Sequence, residues 1–299
     1  MSDTLASLRR KIAGAGDLKS VVRSMKALAA ASIGQYEKSV AALADYYRTV
    51  ELGLAVCLKQ RDNIAQSGQS GKAATTVNAI VFGSDQGLVG QFNDVLADFA
   101  VETLQALPGE KKVWAVGERI HARLADAGLP PLELFAVPTS VNGITPLVGQ
   151  ILIAIESHHD GGEIGQLNLF HNGPRSGAAY EPLSQRLLPL DEQWRLRLAR
   201  LPWPSGNLPE VIGSEEETLR SLVRGYLFVS LFKACAESLA SENASRLAAM
   251  QRAEKNIDEL VDDLNQTFRR LRQTSIDEEL FDVLSGYESL SKMKSKSHP

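Results

Sequence analysis

Apolar and small side chains recur along the N-terminal part of the chain in alternating steps of mostly three and four residues. The positions are Leu5, Leu8, Ile12, Ala15, Leu18, Val22, Met25, Ala29, Ser32, Tyr36, Ser39, Leu43, Tyr46, Val50 and Gly53. This spacing is the a/d seam of a heptad repeat, and it predicts one long helix over residues 1–60. Because several seam residues are alanine or serine, the pattern predicts a slender coiled coil that buries little apolar area.

The same spacing returns near the C-terminus and predicts a second long helix over residues 214–287. Ser214 is suited to cap its start, and the three glutamates at 215–217 lie where the helix dipole favours acidic side chains. Gly286 is predicted to end it. The apolar positions are Leu219, Leu222, Tyr226, Val229, Phe232, Leu239, Leu247, Met250, Ala253, Ile257, Leu260, Leu264, Phe268, Leu271, Leu280 and Leu284.

Two helices of this length must cover their apolar seams, and pairing with each other is the simplest way. An antiparallel pair closed by the intervening residues satisfies both seams. Charge favours the same direction, because residues 1–26 carry six basic and two acidic side chains and an acidic run follows at 277–282. The arrangement predicts that these acids lie beside the basic helix, and that Met25 lies in the neighbourhood of Arg272.

Residues 75–190 show alternating strand and helix patterns instead of a heptad. Strands are predicted at Thr75–Gly83, Lys111–Gly117, Leu132–Pro138, Gly165–His171 and Ala178–Leu187, and helices at Phe92–Leu107, Glu118–Ala127 and Leu147–Ser157. Polar residues at 61–74 and an irregular stretch at 189–213 flank this region. The predicted fold class is therefore α/β: a long antiparallel coiled coil of the N- and C-terminal helices plus a central α/β Rossmann-like domain with a partly parallel sheet.

Composition narrows the classes of function. The chain has 299 residues and a formal net charge of -4, so bulk attraction to nucleic acid is not expected. Its two cysteines, Cys57 and Cys235, have no metal-binding or disulfide spacing. The N-terminus lacks the apolar region of a secretory signal, and no stretch approaches ~18 apolar residues, so any membrane contact is expected to be indirect.

The most conspicuous glycine-rich motif is GSDQGLVGQFN, at Gly83–Asn93. It lies between a predicted strand and a predicted helix, which is where nucleotide-binding loops occur. However, no GK[ST] sequence follows it, and Gly83, Gly87 and Gly90 do not match GxGxxG. We interpret it as a tight strand-to-helix turn that also serves as a contact surface, with a phosphate cradle as the less favoured alternative.

No catalytic, cofactor or metal residues are predicted. The run His158–Asp160 resembles part of a metal site, but no third ligand has a recognisable spacing, and a solvated loop is expected there. No nucleophile elbow, HExxH motif or catalytic dyad is present. The basic cluster Arg269–Gln273 is either a solvated helix face or a contact with an outer partner.

Three segments together resemble the γ subunit of F-type ATP synthases. Val21–Gln35 is similar to the family's Met-Lys pair with its alanine-rich helix, and Gly83–Asn93 to its S-D-R-G-L-C-G-G-F-N loop. Ser238–Leu280 resembles the most specific stretch, which runs from A-S-E-x-x-A-R-x-x-A-M to R-Q-x-x-I. The resemblance implies a non-catalytic rotor shaft, whose partners are the α and β subunits of the ATPase hexamer, the ε subunit and the membrane rotor ring. It also implies a peripheral position at the cytoplasmic face of the inner (plasma) membrane.

The resemblance carries over to eight partner-contact residues. They are Met25, Lys26, Asp85, Gln86, Gly87, Gly90, Arg272 and Gln273. In the family, the Met-Lys pair and the turn face an acidic lever of the β subunits, and the Arg-Gln pair contacts a β-subunit loop higher up the shaft. The chain departs from the pattern at Gln86 (usually arginine), Val89 (cysteine), Gln91 (glycine) and Asp277 (threonine). These departures suggest a divergent branch, including an alternative ion-pumping ATPase, with the ion (proton or sodium) left open.

Two other functions remain open from the sequence. One is a structural tether or scaffold, in which the coiled coil is an arm capped by an α/β head. The other is a small nucleotide-dependent enzyme that uses the central domain.

Overall fold

The structure is a computed structural model that describes residues 4–62, 76–158, 165–175, 178–189, 198, 200–205, 207, 210 and 213–296. The chain divides into two compact units. The first, here called the helix-end unit, combines Met1–Ala27 with Met250–Pro299, and the second, the sheet unit, is Leu28–Ala249. The predicted connection at 61–74 lies almost entirely outside the described residues, as does much of 189–213.

Both long helices are present. Helix α1 runs over Leu5–Asp62 and helix α5 over Glu215–Lys296. The backbone N–H of Glu217 donates to the Ser214 hydroxyl at 3.4 Å, which supports the predicted cap. The predicted end at Gly286 is wrong, because α5 continues ten residues further. A glycine ends a helix when its backbone turns left-handed, and inside a helix it costs only about 1 kcal/mol relative to alanine.

In the helix-end unit the two helices pair in opposite directions. Arg23 is bonded to Glu254 and Lys19 to Asp258, while the Arg9 guanidinium lies 5.4 Å from the centre of the Phe268 ring. As the α1 partner moves toward the N-terminus, the α5 partner moves toward the C-terminus. The buried seam residues recur every seventh position, at Leu8, Ala15 and Val22 on α1 and at Met250 and Ile257 on α5.

The seam prediction is wrong at several positions. Leu18, Tyr46, Leu260, Leu280 and Leu284 were assigned to the apolar seam, but each is at least half exposed. Along the contact between the two helices, the fully buried α1 residues recur at every seventh position. Many of the other positions assigned to the seam therefore face water. For Leu280 and Leu284 the reason is different: with Arg9 opposite Phe268, residue 272 faces the start of α1, and α5 continues without α1 beside it.

This register also corrects the predicted charge pairing. The acidic run at 277–282 lies beyond the residues of α5 that face the first turn of α1. It therefore cannot be the counterpart of the basic N-terminal helix. Glu254 and Asp258 take that role instead, because the antiparallel register brings them opposite Lys19, Arg23 and Lys26. The sign of the interaction was predicted correctly, and its position along α5 was not.

The sheet unit contains five strands in the order β3-β2-β1-β4-β5. The strands are β1 Thr76–Phe82, β2 Glu110–Val116, β3 Glu133–Phe135, β4 Gln166–Arg175 and β5 Ala178–Leu188. Strands β1 to β4 are mutually parallel and β5 is antiparallel to β4. Helices α2 (Phe92–Gln105), α3 (Glu118–Asp126) and α4 (Ile144–Ser157) separate the strands, with a short 3₁₀ turn at Val141–Gly143. The third predicted strand shrinks to three residues.

The alternation of side chains along the strands supplies two cores. One face of β1 and β2, including Val81 and Ala115, packs with α2 and α3 residues such as Leu96 and Ile120. The opposite face, including Trp114, packs with α4 and with the parts of α1 and α5 that belong to this unit. Burial of both faces is the usual condition of a parallel sheet, and it fixes the ends of the strands relative to α5.

Candidate functional site

The Gly83–Asn93 motif forms the turn between β1 and α2, here called the β1 loop, and it is held by its own aspartate. Both carboxylate oxygens of Asp85 accept backbone N–H groups: Oδ1 from Glu118 at 3.0 Å and Oδ2 from Val137 at 2.9 Å. These donors begin α3 and follow β3, so Asp85 ties three strand ends together. Asp85 stays a predicted partner contact, and its carboxylate also has this internal role.

Serine and asparagine side chains hold the two ends of the same loop. The Ser84 backbone N–H donates to Asn93 Oδ1 at 3.0 Å, and the Asn93 amide donates to the Ser84 hydroxyl at 2.8 Å. From α5, the Ser245 hydroxyl donates to the Val89 carbonyl at 2.5 Å. Ser245 stands where the A-S-E-x-x-A-R pattern has its second alanine, so this bond comes from a departure in this chain.

The loop lies where the strand order reverses, between β1 and β4, which is the position of ligand crevices in open α/β sheets. Here the protein's own helix reaches that edge. The Ser238 hydroxyl of α5 donates to the Phe82 carbonyl at the end of β1, at 3.1 Å, and Ser245 holds the loop beyond it. This packing favours the contact-turn interpretation of the motif over the phosphate cradle.

The outward side of the β1 loop presents residues that the sequence analysis only partly identified. Gln86 and Gly90 are exposed, as predicted contacts should be, and Gly87 is half-buried. Leu88 was not singled out, yet it has φ 62° and is 62% exposed. The sequence does not predict a left-handed backbone at this leucine, because that conformation is imposed by the hydrogen bonds that hold the loop on both sides of it.

In the helix-end unit, Lys26 belongs to a three-residue charge cluster. Its Nζ lies 2.5 Å from Glu254 Oε2, and Arg23 Nε lies 2.7 Å from Oε1 of the same carboxylate. The hydrogen bonds from Lys26 and Arg23 lower the pKa of Glu254 to about 2, and the bond to Glu254 raises the pKa of Arg23. One carboxylate thus holds two cations, and the cluster keeps a net positive charge.

This cluster predicts an acid-sensitive step in helix pairing. A carboxyl with a depressed pKa stabilises the folded state above its ordinary value of 4.5, and that contribution is lost as the pH falls toward about 2. We expect Glu254→Gln to lower the melting temperature at pH 7 and to remove part of the decline between pH 4.5 and 2. Circular dichroism melts at several pH values measure this. Glu259→Gln is the matched control, since among the residues that the structure describes Glu259 forms its ion pair with Lys255 on its own helix; equal pH profiles for both variants would contradict the prediction.

The remaining predicted contacts lie on the two helices of the helix-end unit. Met25 is half-buried, and Arg272 and Gln273 are exposed. The expectation that Met25 lies near Arg272 is wrong. Met25 lies beside the Glu254 cluster, and residue 272 faces the start of α1, roughly 30 Å away at ~1.5 Å per residue. The two pairs therefore mark separate heights on this helix pair, as the family resemblance implies, and not one surface.

The specific C-terminal motif has a structural explanation in the sheet unit. Arg246 Nη2 donates to Glu242 Oε1 at 2.6 Å, and Glu242 is only 6% exposed. Burial raises the pKa of Glu242, and the hydrogen bond from Arg246 opposes that shift. The glutamate and arginine of A-S-E-x-x-A-R thus form a buried pair within α5 beside the β1 loop, which explains their four-residue spacing.

Metal chemistry finds no further support in the described part of the chain. No group of three or more histidine, cysteine, aspartate or glutamate side chains suited to a metal occurs there. His158 Nδ1 lies 2.8 Å from the Ala154 carbonyl and so closes the end of α4, while His159 and Asp160 lie outside the described residues. No helix among those described has the length and apolar character needed to cross a membrane.

Comparison with known proteins agrees with this architecture. The family model ATP-synt, described as ATP synthase, matches residues 4–290. The ATP synthase gamma chain of Pelagibacter ubique is 27% identical over 299 residues, covering 96% of this chain and 99% of that one. The gamma chain of Clostridium pasteurianum is 25% identical over 295 residues, with 97% and 99% covered.

Solved structures show the same fold. The central stalk and c-ring structure of the Tetrahymena thermophila mitochondrial ATP synthase contains a chain with TM-score 0.59 and 21% identity, covering 78% of this chain and 99% of that one. A rotor chain of the Euglena gracilis mitochondrial ATP synthase has TM-score 0.62 and 13% identity, with 91% and 98% covered. Taken with the family match over nearly the whole chain, the paired terminal helices and the α/β domain between them show that this protein belongs to the ATP synthase γ-chain family and is a stalk subunit of that rotary complex.

Proposed function

We propose that this stalk subunit transmits torque between a membrane ion-carrying ring and the catalytic β subunits of an α/β hexamer. The carrying observation is the register of the helix-end unit. Helices α1 and α5 pair antiparallel there, and α5 then continues without α1 to Lys296. Two helices held together by side-chain contacts resist twisting. The C-terminal part of α5, which continues alone, gives the shaft a narrow tip.

The tip of α5 carries apolar side chains in water. Ile276, Leu280, Phe281, Val283 and Tyr287 are between 53% and 72% exposed. Contiguous exposed apolar surface marks a site that a partner covers. We assign this tip to the interior of the α/β hexamer, where a surrounding sleeve would bury it and where Arg272 and Gln273 would meet a β-subunit loop.

The other proposed contacts are also assigned to the hexamer. Lys26 and Met25 meet an acidic surface of the β subunits, and the cluster's net positive charge supports that choice. In the sheet unit, the β1 loop offers Gln86 and Gly90. Asp85 contributes to the proposed contact indirectly, by fixing the loop, because its carboxylate already accepts two internal hydrogen bonds.

The α/β domain supplies a surface for the rotor-side partners. Strand β3 is an edge of the sheet, with Leu134 on it 42% exposed and Ile153 of α4 62% exposed. An edge strand beside exposed apolar side chains is a usual place for protein association. We assign this surface to the ε subunit and the membrane ring, and we propose a peripheral position for the chain at the cytoplasmic face of the membrane.

Purification of the intact complex tests the function. A tagged chain extracted with detergent from its membrane should bring with it subunits that contain P-loops, together with a ring protein. Dimerisation of the chain without such subunits would instead support a tether. Equilibrium binding of ATP to the isolated chain would support a nucleotide-dependent enzyme.

The coupling ion is decided by the same preparation. If the ion is sodium, ATP hydrolysis by the coupled complex rises with Na⁺ concentration at constant pH and ionic strength. If it is the proton, the rate of ATP hydrolysis does not respond to Na⁺, and in closed vesicles a protonophore raises that rate by removing the opposing proton gradient. The proposal allows either ion, and absence of both responses would contradict it.

A further inference from the structure

A groove with apolar walls lies between helices α1 and α5 in the sheet unit. Its volume is about 250 Å³. It is lined by five residues of the α1 segment Val40–Tyr47 together with Val229 and Lys233 of α5. Lys233 supplies the one charge among these seven side chains. Sites for small molecules usually have this composition, with apolar walls and a few polar groups that orient the ligand.

Small side chains on α1 leave the groove open. Ala41 and Ala44 are exposed and lie three residues apart, so they share one face of the helix. Val229 is 1% exposed and forms the floor. The Tyr47 ring forms a fixed wall, because its centre lies 6.2 Å from that of Tyr226, a residue of the apolar core. The groove is therefore formed before any ligand binds.

The ammonium group of Lys233 lies at the mouth of the groove. Its side chain is 53% exposed, and its Nζ lies 3.8 Å from Glu237 Oε1, which is longer than a hydrogen bond. The second oxygen of that carboxylate lies 2.9 Å from His171 Nε2. Among the residues that the structure describes, none accepts a hydrogen bond from Lys233. Its N–H donors are thus available to a bound molecule.

The charges at the mouth select the kind of anion. A single ammonium attracts a negative group, whereas the nearby Glu237 carboxylate repels a second negative charge. A phosphate ester carries that second charge, and a carboxylate does not. The site therefore favours a ligand with one carboxylate and an apolar body.

The dimensions of the groove favour a small molecule over a peptide. The lining residues of α5, Val229 and Lys233, are one helical turn apart and span roughly 6 Å at ~1.5 Å per residue. A docked helix needs a longer groove, because its anchoring side chains extend from position i to i+7.

We propose that this groove binds a small amphiphilic carboxylic acid, whose aryl or alkyl body lies on Val229 and whose carboxylate pairs with Lys233. The site is separate from the hexamer contacts assigned above, and it does not depend on torque transmission. A bound molecule touches both α1 and α5, so it stabilises their pairing in the sheet unit.

Phenylbutyrate is the probe for the test, titrated against the full chain in its purified complex and followed by saturation-transfer NMR of the ligand. We expect saturable binding to the parent chain. Lys233→Gln should raise the Kd by about fivefold, the upper end for a partly exposed ion pair. Phenylbutyramide, which has no charge, should bind the parent and Lys233→Gln with the same Kd.

A second variant tests the apolar part of the groove. Ala44→Leu places a larger side chain in the groove at an exposed helix position, so the melting temperature should stay at the parent level while the Kd for both probes rises at least tenfold. Ala42→Leu is its matched control, because Ala42 is exposed on the same helix and does not line the groove.

Lys255→Gln is the matched control for Lys233→Gln. Lys255 also lies on α5, and its Nζ lies 3.7 Å from the glutamate four residues later, Glu259. Both control variants should bind phenylbutyrate as the parent does.

Three results would overturn the proposal. One is the absence of saturable binding to the parent complex. Another is an equal Kd for the parent, Lys233→Gln and Ala44→Leu, which would place the ligand elsewhere. The third is binding to the isolated full chain that disappears in the complex, which would show that another subunit covers the groove.

Discussion

Lys26→Glu is expected to uncouple the complex, lowering ions pumped per ATP hydrolysed by roughly tenfold, within the usual range of coupling energies between sites. The substitution has two consequences. In the parent chain Glu254 lies 2.5 Å from the Lys26 ammonium, so the new glutamate places a second carboxylate next to it. The substitution also makes a positive surface negative at the point where contact with an acidic β-subunit surface is proposed. Simultaneous measurement of ATP hydrolysis and ion uptake in vesicles determines the ratio.

Arg23→Glu is the matched control for this prediction. Arg23 lies one turn earlier on α1, contacts the same Glu254 carboxylate and is not among the proposed contacts. If Lys26 acts through a partner, its reversal uncouples more strongly than reversal of Arg23. The double variant Lys26→Glu, Glu254→Lys restores an ion pair between the helices; full recovery of coupling in that variant would mean that Lys26 serves only helix pairing.

Gly117→Ala is expected to destabilise the α/β domain by about 3–5 kcal/mol. Gly117 joins β2 to α3 with φ 115°, and an added Cβ would meet three backbone atoms of Ser84 at 2.8 Å. Backbone atoms cannot turn aside as a side chain can. The clash would also displace the start of the β1 loop and with it the proposed contact.

Gly128→Ala separates the two causes of that loss. Gly128 has φ 80°, but an added Cβ there would meet nothing within 4 Å, so only the backbone conformation resists the change, at about 1–2 kcal/mol. Urea unfolding followed by tryptophan fluorescence, with Trp114 buried in the sheet core, measures both variants. Equal losses would show that the close approach of Gly117 to Ser84 is not what requires glycine.

The fold class could be predicted because it follows from periodicity. A heptad seam at both ends and alternating strands between them specify long helices and a parallel sheet by side-chain spacing alone, and both are present. The ends of the elements were predicted less well: α5 passes Gly286, and the third predicted strand keeps only Glu133–Phe135. Helix ends and edge strands depend on neighbours, which a local pattern does not contain.

The candidate contacts divide in the same way. The Gly83–Asn93 motif and the Met-Lys pair could be found from the sequence, because the residues of each motif are contiguous. The pairing of Lys26 with Glu254 could not be found, because it depends on the register between two helices more than two hundred residues apart in sequence. For the same reason the acids at 277–282 were wrongly chosen as partners of the basic helix.

By itself the sequence determined which segments are helical, because this property follows from local spacing, and its three contiguous motifs carry the resemblance to the family. The antiparallel direction was also predicted, from the need to cover both seams, although the acids chosen to support it were the wrong ones. Only the tertiary structure decided the register, the residues that α5 leaves uncovered and the left-handed backbone of Leu88. Each of these is set by contacts between distant segments: Ser245 on α5 fixes the loop after β1, and the start of α1 decides where α5 loses its partner.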